Sequence, residues 1–454
     1  ASYGSLEALN RSWGTSHTDW SQVKPQTLKE CEQTGNYVPW VDHRLHMETV
    51  WAGIHDYSRE VIQKVVPGAR VGYEGSDTEI TSYQADDYWK LSRAMDLNNI
   101  YYRDFMSLAW DNFASDGMLY GGGWFGGYAG NRNEPFMRWF PWRTLFKGAN
   151  SFWVWAGYGH AGAVMAYDVS LYPFFQTACD EVAEIAAGPG KLLNTSQRQD
   201  DGIALLYSAS SVHVGTYTQG FPGMNDTLDA IVRLLHDSGL ECRVVSYEEL
   251  AAGEVTNDRF KTLILPCAQA LSQAEVDRIK SFAHGGGRVI ADLRPGVTDE
   301  HGKPYAQPAL DDLFGVTQAP QFTKATLDLA PLDLGNATAD SSLKLAAGTA
   351  QTTVDGTPVM VTSKAGRGSA LLLNFSLNGY LALDKGTSKD FPGWQEGTAF
   401  RTFIMGLMAQ VGIAPVVTIE PDAPRVEISR FRSGEAQYVG IIQGLPRSTI
   451  EYTN

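Results

Sequence analysis

Four stretches decide the reading: ARVGYEGSDTEI (69–80), NIYYRDFMSLAW (99–110), GMLYGGGWFGGYAGNRN (117–133) and SFWVWAGYGH (151–160). Each opens on a short apolar run and breaks into glycine and polar residues, the pattern of a buried strand that ends at a loop. The strands fall at Ala69 to Tyr73, Asn99 to Tyr102, Gly117 to Tyr120 and Ser151 to Trp155. Helical periodicity follows them at Asp86 to Met95, Phe105 to Ala114, Phe136 to Lys147 and Tyr172 to Ala187. Four strand-then-helix units in succession predict a parallel sheet with helical crossovers, and four such units are half of an eightfold α/β barrel.

Upstream, Val41 to Val66 is a long amphipathic helix stopped by Pro67-Gly68. Downstream, Gly188-Pro189-Gly190 and the polar stretch Asn194 to Asp201 read as a linker. Strands then follow at Ile203 to Tyr207, Cys242 to Ser246, Thr262 to Leu265 and Arg288 to Ala291, alternating with helices at Asp226 to Ser238 and Gln273 to Phe282. That alternation predicts a flavodoxin-like doubly wound domain, completed by Asp311 to Phe314 and Gly366 to Ser376 and closed by a helix from Phe400 to Val411. The last residues, with VEISRF and YVGIIQ, read as the first strands of a β-sandwich. The predicted fold class is therefore α/β: residues 1–198 a partial (β/α)8 barrel carrying strands 5 to 8, 199–414 the flavodoxin-like domain, and 415–454 the beginning of a C-terminal β domain.

With 36 Lys+Arg against 51 Asp+Glu the chain carries a net charge of −15, and it contains no basic cluster. That excludes nucleic acid and anionic membrane as expected partners and favours neutral or cationic ligands. Hydrophobic residues at 43% exclude a disordered chain, no apolar run is long enough to span a bilayer, and no signal peptide opens the sequence. A soluble protein is the expectation, and its compartment is left open. Cys31, Cys179, Cys242 and Cys267 are far apart, so neither a disulfide framework nor a zinc knuckle is expected. Eleven of the twelve tryptophans lie at or before Trp155. Such residues are either core or flat platforms for sugar rings.

In a parallel barrel the reactive side chains project from the carboxyl ends of the strands. Here the tips offer Tyr73, Glu74 and Asp77, then Arg103 and Asp104, then Trp124 and Tyr128, then Trp155 and His160. Two carboxylates on neighbouring tips suit glycoside hydrolysis, one protonating the leaving oxygen and the other attacking the anomeric carbon or activating water. Glu74 and Asp104 are the candidate catalytic pair, and Tyr73, Arg103, Trp124, Trp155 and His160 the candidate sugar-binding residues. A structural salt bridge from Glu74 to Arg70 or Arg103 is the competing reading. Asp42 and His46 are an i, i+4 pair, but no fourth ligand is visible, so no metal is expected. No cofactor is expected either: the glycines at 121–123 and 126–127 lack the acidic residue of a dinucleotide site. Ser208, Ser210, Ser211 and His213 are without a GxSxG elbow and read as a turn.

These segments carry a resemblance. YGSLEALNRSWGTSHTDW (3–20) and PFMRWFPWRTLFKGANSFWVW (135–155) resemble glycoside hydrolase family 42, the β-galactosidases, in the carboxyl-terminal half of the barrel. Residues 202 to about 411, with LPCAQALSQAEVDRIKSFAHGGGRVIADLRPG, are similar to that family's trimerisation domain, and VEISRF to the start of its small β domain. The resemblance implies a carbohydrate substrate, a homo-oligomer (a trimer), and a further barrel half supplied by the same precursor or another chain. The family's acid/base Glu precedes the segment matched at Tyr3, and its nucleophile ends the seventh strand, where MLYGGGW (118–124) has no carboxylate. Neither carries over. The expected function is hydrolysis of O-glycosidic bonds of oligo- or polysaccharides; the alternative is a sugar-binding or assembly subunit without turnover. Cys267 lacks a nucleophile elbow and reads as non-catalytic.

Overall fold

The computed structural model describes residues 3–76, 80–100, 104–122, 125–127, 132–159, 162–384, 397–420 and 426–444. Helices α1 (Leu6–Trp13) and α2 (Leu28–Thr34) lead into α3 (Val38–Val65), the longest helix among the described residues. The Thr27 side chain and the Glu30 carboxylate cap the start of α2 reciprocally. Strand and helix then alternate: β1 (Gly72–Ser76), α4 (Tyr88–Ala94), β2 (Leu97–Ile100), α5 (Asp104–Phe113), β3 (Leu119–Gly121), β4 (Phe125–Gly126), α6 (Glu134–Phe146), β5 (Val154–Trp155) and α7 (Pro173–Ala187).

β1, β2 and β3 form a parallel sheet in sequence order. A parallel bridge from Gly121 to Ser151 and the parallel pair β4–β5 continue it. The four expected strand-then-helix units are thus present. β1 and β2 are shifted by two or three residues from their expected limits, and the expected fourth strand reduces to the Ser151 bridge and β5. The glycines are why the tips can approach so closely: a Cβ on Gly121 would lie 2.1 Å from the Ser151 carbonyl oxygen.

A short α8 (Pro189–Asn194) and β6 (Gln197–Arg198) lead to the second sheet. Its elements are β7 (Ile203–Tyr207), α9 (Ala209–Tyr217), α10 (Met224–Asp237), β8 (Cys242–Ser246), α11 (Tyr247–Ala252), β9 (Thr262–Leu265), α12 (Gln273–Gly285) and β10 (Arg288–Ala291). After α13 (Asp311–Phe314), the strands β11 (Val316–Thr317), β12 (Lys324–Asp328), β13 (Asn336–Asp340) and β14 (Lys344–Leu345) make two antiparallel pairs, β11 with β14 and β12 with β13. β15 (Thr349–Val354), β16 (Thr357–Ala365) and β17 (Gly368–Leu373) complete a seven-stranded sheet of order β15-β16-β17-β10-β9-β7-β8. Its five strands β8, β7, β9, β10 and β17 are parallel.

Every residue of β7, β9 and β10 is buried, as expected of strands covered on both faces. One expectation is corrected here: the serines at 208–211 do not form a turn, because Ser208 caps α9 through the Ser211 amide. The strands between Val316 and Ala365 carry weak alternation and were not anticipated. The chain ends its described part with the helix Thr398–Ala409 and the hairpin of β18 (Val426–Ser433) with β19 (Ala436–Gln443), to which β6 adds a third strand. Among the described residues no helix is long and apolar enough to cross a membrane.

The two sheets share one core. Tyr88, Trp110 and Phe113 of the first unit pack with Tyr207 of β7. The Asn112 side chain accepts a hydrogen bond from the Val244 amide of β8 at 2.7 Å, and Asp229 of α10 accepts from the Phe105 amide at 3.0 Å. Most tryptophans with clear roles are structural: Trp13, Trp40 and Trp110 are buried, whereas Trp155 is 37% exposed.

Candidate functional site at the strand tips

The parallel register aligns Glu74 of β1 with Asn99 of β2, and Asn99 with Gly121 of β3. Side chains alternate along a strand, so this row faces one side of the sheet and the row Tyr73, Asn98, Tyr120 faces the other. The second row turns towards the helices. Tyr73 lies edge-on to Trp51 of α3 at 5.8 Å and beside His55 at 5.1 Å, and the Tyr120 hydroxyl donates to Asp111 of α5 at 2.8 Å. Tyr73 therefore packs on the α3 side of the sheet, opposite Glu74.

On the opposite face the Asn99 amide donates to Glu74 Oε1 at 3.2 Å. Asn99 is buried, whereas Glu74 is exposed. A short buried donor thus holds one oxygen of an exposed carboxylate. The next position has no room for a side chain. A Cβ on Gly122 would stand 2.3 Å from Asn99 Oδ1 and 2.8 Å from Trp153 Cβ, and its φ of +93° lies in the region that glycine alone visits easily. The Trp153 indole N–H is tied in turn to Ser151 Oγ at 2.9 Å. Gly122→Ala is expected to cost about 1–3 kcal/mol and to displace Asn99 from Glu74. Urea unfolding of the variant measures the first effect, and an unchanged midpoint would show that the tips can relax.

Asp104 sits differently. It begins α5, is 9% exposed, and receives Arg143 Nη2 of α6 at 2.6 Å and Arg233 Nη2 of α10 at 2.8 Å. Arg143 also meets Glu427 of β18 at 2.8 Å, and Lys147 meets the second Glu427 oxygen at 2.9 Å. Burial alone would raise the Glu427 carboxyl, but the Arg143, Lys147 and Arg233 cations hold it well below the usual carboxylate range. Asp104 thus belongs to a buried ion cluster joining four elements. No sequence signal pointed to it, because its partners lie far along the chain. Arg103, Trp124 and His160, together with Asp77 and Tyr128, lie outside the described residues. Trp155 occupies β5, paired with Gly126.

The other candidate constellations resolve into structure. Asp42 Oδ2 accepts from the Tyr3 hydroxyl at 2.7 Å and from the Trp13 indole at 2.5 Å, and Oδ1 meets His301. Glu48 pairs with His213 at 2.9 Å and Lys90 at 3.3 Å. Among the described residues no three His, Cys, Asp or Glu side chains gather as metal ligands. Ser82, His213 and Glu48 form a Ser-His-Glu chain, with Ser82 Oγ 2.9 Å from His213 Nδ1. All three are buried, so the chain bridges α3 to α9 without room for an acyl group. Burial and the neighbouring Asp292 push the Cys267 thiol up, away from the thiolate that a nucleophile needs.

No family model matches the chain. Solved structures do. A catalytic mutant of Gan42B, a GH42 beta-galactosidase from G. stearothermophilus, superposes with a TM-score of 0.72 at 17% identity, over 96% of this chain and 68% of that one. The beta-galactosidase from Bacillus circulans sp. alkalophilus gives 0.71 at 15% identity with the same coverage. The alpha-L-fucosidase isoenzyme 2 from Paenibacillus thiaminolyticus gives 0.56 at 15% identity, over 90% and 62%. Identities this low speak to architecture alone, and the coverage makes that architecture nearly the whole of this chain: it has the fold of the GH42 beta-galactosidases.

Proposed function

We propose that this chain is a glycosidase of β-galactosidase type acting on O-glycosidic bonds, with Glu74 as a catalytic carboxylate at the strand tips. The observation that carries the reading is the Asn99-to-Glu74 hydrogen bond at the exposed ends of parallel strands. Held there, Glu74 can protonate a leaving oxygen or stabilise an oxocarbenium-like centre, and Trp155, partly exposed on β5, is proposed as an aromatic face for the sugar. Asp104 is proposed as a positioning residue that anchors α5 behind the tips. A partner carboxylate would have to stand ~5–5.5 Å away for retention or ~6.5–9.5 Å for inversion. Turnover of aryl β-galactosides by Glu74→Gln tests the assignment: sugar binding retained with turnover lost supports it, and unchanged turnover overturns it.

The commitment of Asp104 to two arginines favours a second reading, a sugar-binding subunit without turnover. It predicts galactoside binding by the wild type that weakens in Trp155→Ala, with no hydrolysis by either. Under both readings the architecture is proposed to be the carboxyl-terminal half of a TIM barrel, a flavodoxin-like domain of the trimerisation type and the start of a β-sandwich. A companion barrel half is proposed to cover β1, the edge of its sheet, and the exposed α3 stripe Val50, Ile54, Tyr57, Val61 and Val65.

A further inference from the structure

The loop that follows β10 carries a tip that reaches across to the amino-terminal helices. Asp299 shapes it: its Oδ1 accepts from the His301 and Lys303 amides at 3.0 and 2.9 Å, and an antiparallel bridge joins Thr298 to Pro304. Gly302 stands at a φ of +78°, and a Cβ there would lie 2.9 Å from Val41 Cγ2, so the tip is pressed against the start of α3. Three contacts cross from this tip. His301 Nδ1 meets Asp42 Oδ1 of α3 at 2.5 Å, the His301 ring stacks on Tyr3 at 4.5 Å, and Lys303 Nζ donates to the Arg11 carbonyl of α1 at 2.9 Å.

The hydrogens of this cluster can be assigned. Asp42 already accepts from the Tyr3 hydroxyl and the Trp13 indole, so it is an acceptor towards His301 as well, and Nδ1 carries the hydrogen between them. The proton that comes and goes is therefore the one on Nε2, with Glu300 Oε1 3.8 Å away. The carboxylates that face the ring are Asp42 from α3 and Glu300 and Asp299 from its own loop, and the Tyr3 phenol lies against its face. Burial by itself would lower this imidazole, but the three carboxylates raise it above its ordinary value. Loss of the Nε2 proton turns a charged hydrogen bond to Asp42 into a neutral one, which is roughly half as strong.

We propose that this loop is a pH-sensitive clasp: with His301 protonated it holds the amino-terminal helices against the loops of the second sheet, and with His301 neutral that hold loosens. Tyr3, Trp13, Asp42 and His301 all line a cavity of about 790 Å³ between those helices and the loops after β7 and β8, so loosening opens one of its walls. A histidine raised on folding contributes stability that is complete below its unfolded value of ~6.5 and is lost as pH rises through the folded value. The clasp therefore weakens on the alkaline side. His43, on the same cavity, acts with the opposite sign: burial and Arg44 lower its imidazole, so its penalty is relieved as pH rises. The clasp is independent of the Glu74 assignment, and its outcome leaves that one untouched.

Hydrogen exchange of the full chain across pH 6 to 8, corrected for the intrinsic exchange rate, tests it. An eight-residue helix such as α1 is too short to persist undocked, so its amides report the clasp. Amides of residues 10–13 are expected to be about 3–10-fold less protected at pH 8 than at pH 6, the difference between a charged and a neutral hydrogen bond. Amides of β7 serve as the reference for global stability. His301→Gln keeps a donor for Asp42 and has no proton to lose, so its protection should be the same at both ends of the range. Glu300→Gln alters a side chain that is 41% exposed, leaves the Asp42 contact in place and should move the loss of protection to lower pH. Protection in the wild type that holds level or rises with pH relative to β7 overturns the proposal. So does a loss that persists in His301→Gln, or one that Glu300→Gln leaves at the same pH.

Discussion

Glu427→Gln is expected to destabilise the protein by about 3–5 kcal/mol, the usual consequence of removing one partner from a buried ion pair. The substitution keeps size and hydrogen-bonding capacity and deletes only charge. It strips Arg143, 2% exposed, and Lys147, 3% exposed, of the carboxylate both approach within 3 Å. Asp104 remains, already shared between Arg143 and the half-buried Arg233, so Arg143 and Lys147 would lose the carboxylate that lies between them. Urea unfolding followed by tryptophan fluorescence is well placed to read this, since eleven of the twelve tryptophans lie in the first 155 residues. A loss below ~1 kcal/mol would mean that water or rearrangement compensates the cluster. Because Glu427 titrates well below the ordinary value in the folded protein, its contribution is complete above the unfolded carboxyl value of ~4.3 and is lost as pH falls towards the folded value. The stability gap between wild type and Glu427→Gln should therefore hold from pH ~7 to ~5 and narrow below ~4.5. A gap that widened on acidification would reverse the sign assigned to this group.

Glu74→Gln is expected to lower kcat on an aryl β-galactoside by about 10²–10⁴-fold, the range contributed by a positioned acid or base. The amide can still meet Asn99, so the strand tips should stay in place and the loss should fall on kcat more than on KM. Gly122→Ala provides the complementary measurement. It leaves Glu74 chemically intact but crowds Asn99, so a fall in kcat there would show that the hydrogen bond orients the carboxylate. If the wild type binds galactosides and turns none over, the sugar-binding reading takes its place.

Much of the secondary structure was legible. Ile203–Tyr207, Cys242–Ser246, Thr262–Leu265 and Arg288–Ala291 are strands with the expected limits, because fully buried parallel strands are apolar runs bounded by abrupt polar changes. The strand tips were legible as positions and not as partners. Alternation along Tyr73-Glu74 already implies that the two face opposite sides of the sheet. Nothing comparable announced Asp104: its partners stand at sequence distances of 39 and 129 residues.

By itself, the amino-acid sequence determined the succession of strands and helices, the stop after the long helix at Pro67-Gly68 and the absence of a carboxylate at Gly121–Gly122. These depend on near neighbours, whose periodicity and backbone freedom are local properties. Only the tertiary structure decided which carboxylates are available. Register brought Asn99 to Glu74, and packing of α5 against α6 and α10 committed Asp104 to Arg143 and Arg233. A carboxylate's chemistry follows from its charge partners and its access to solvent, and both are set by residues that meet only when the chain has folded.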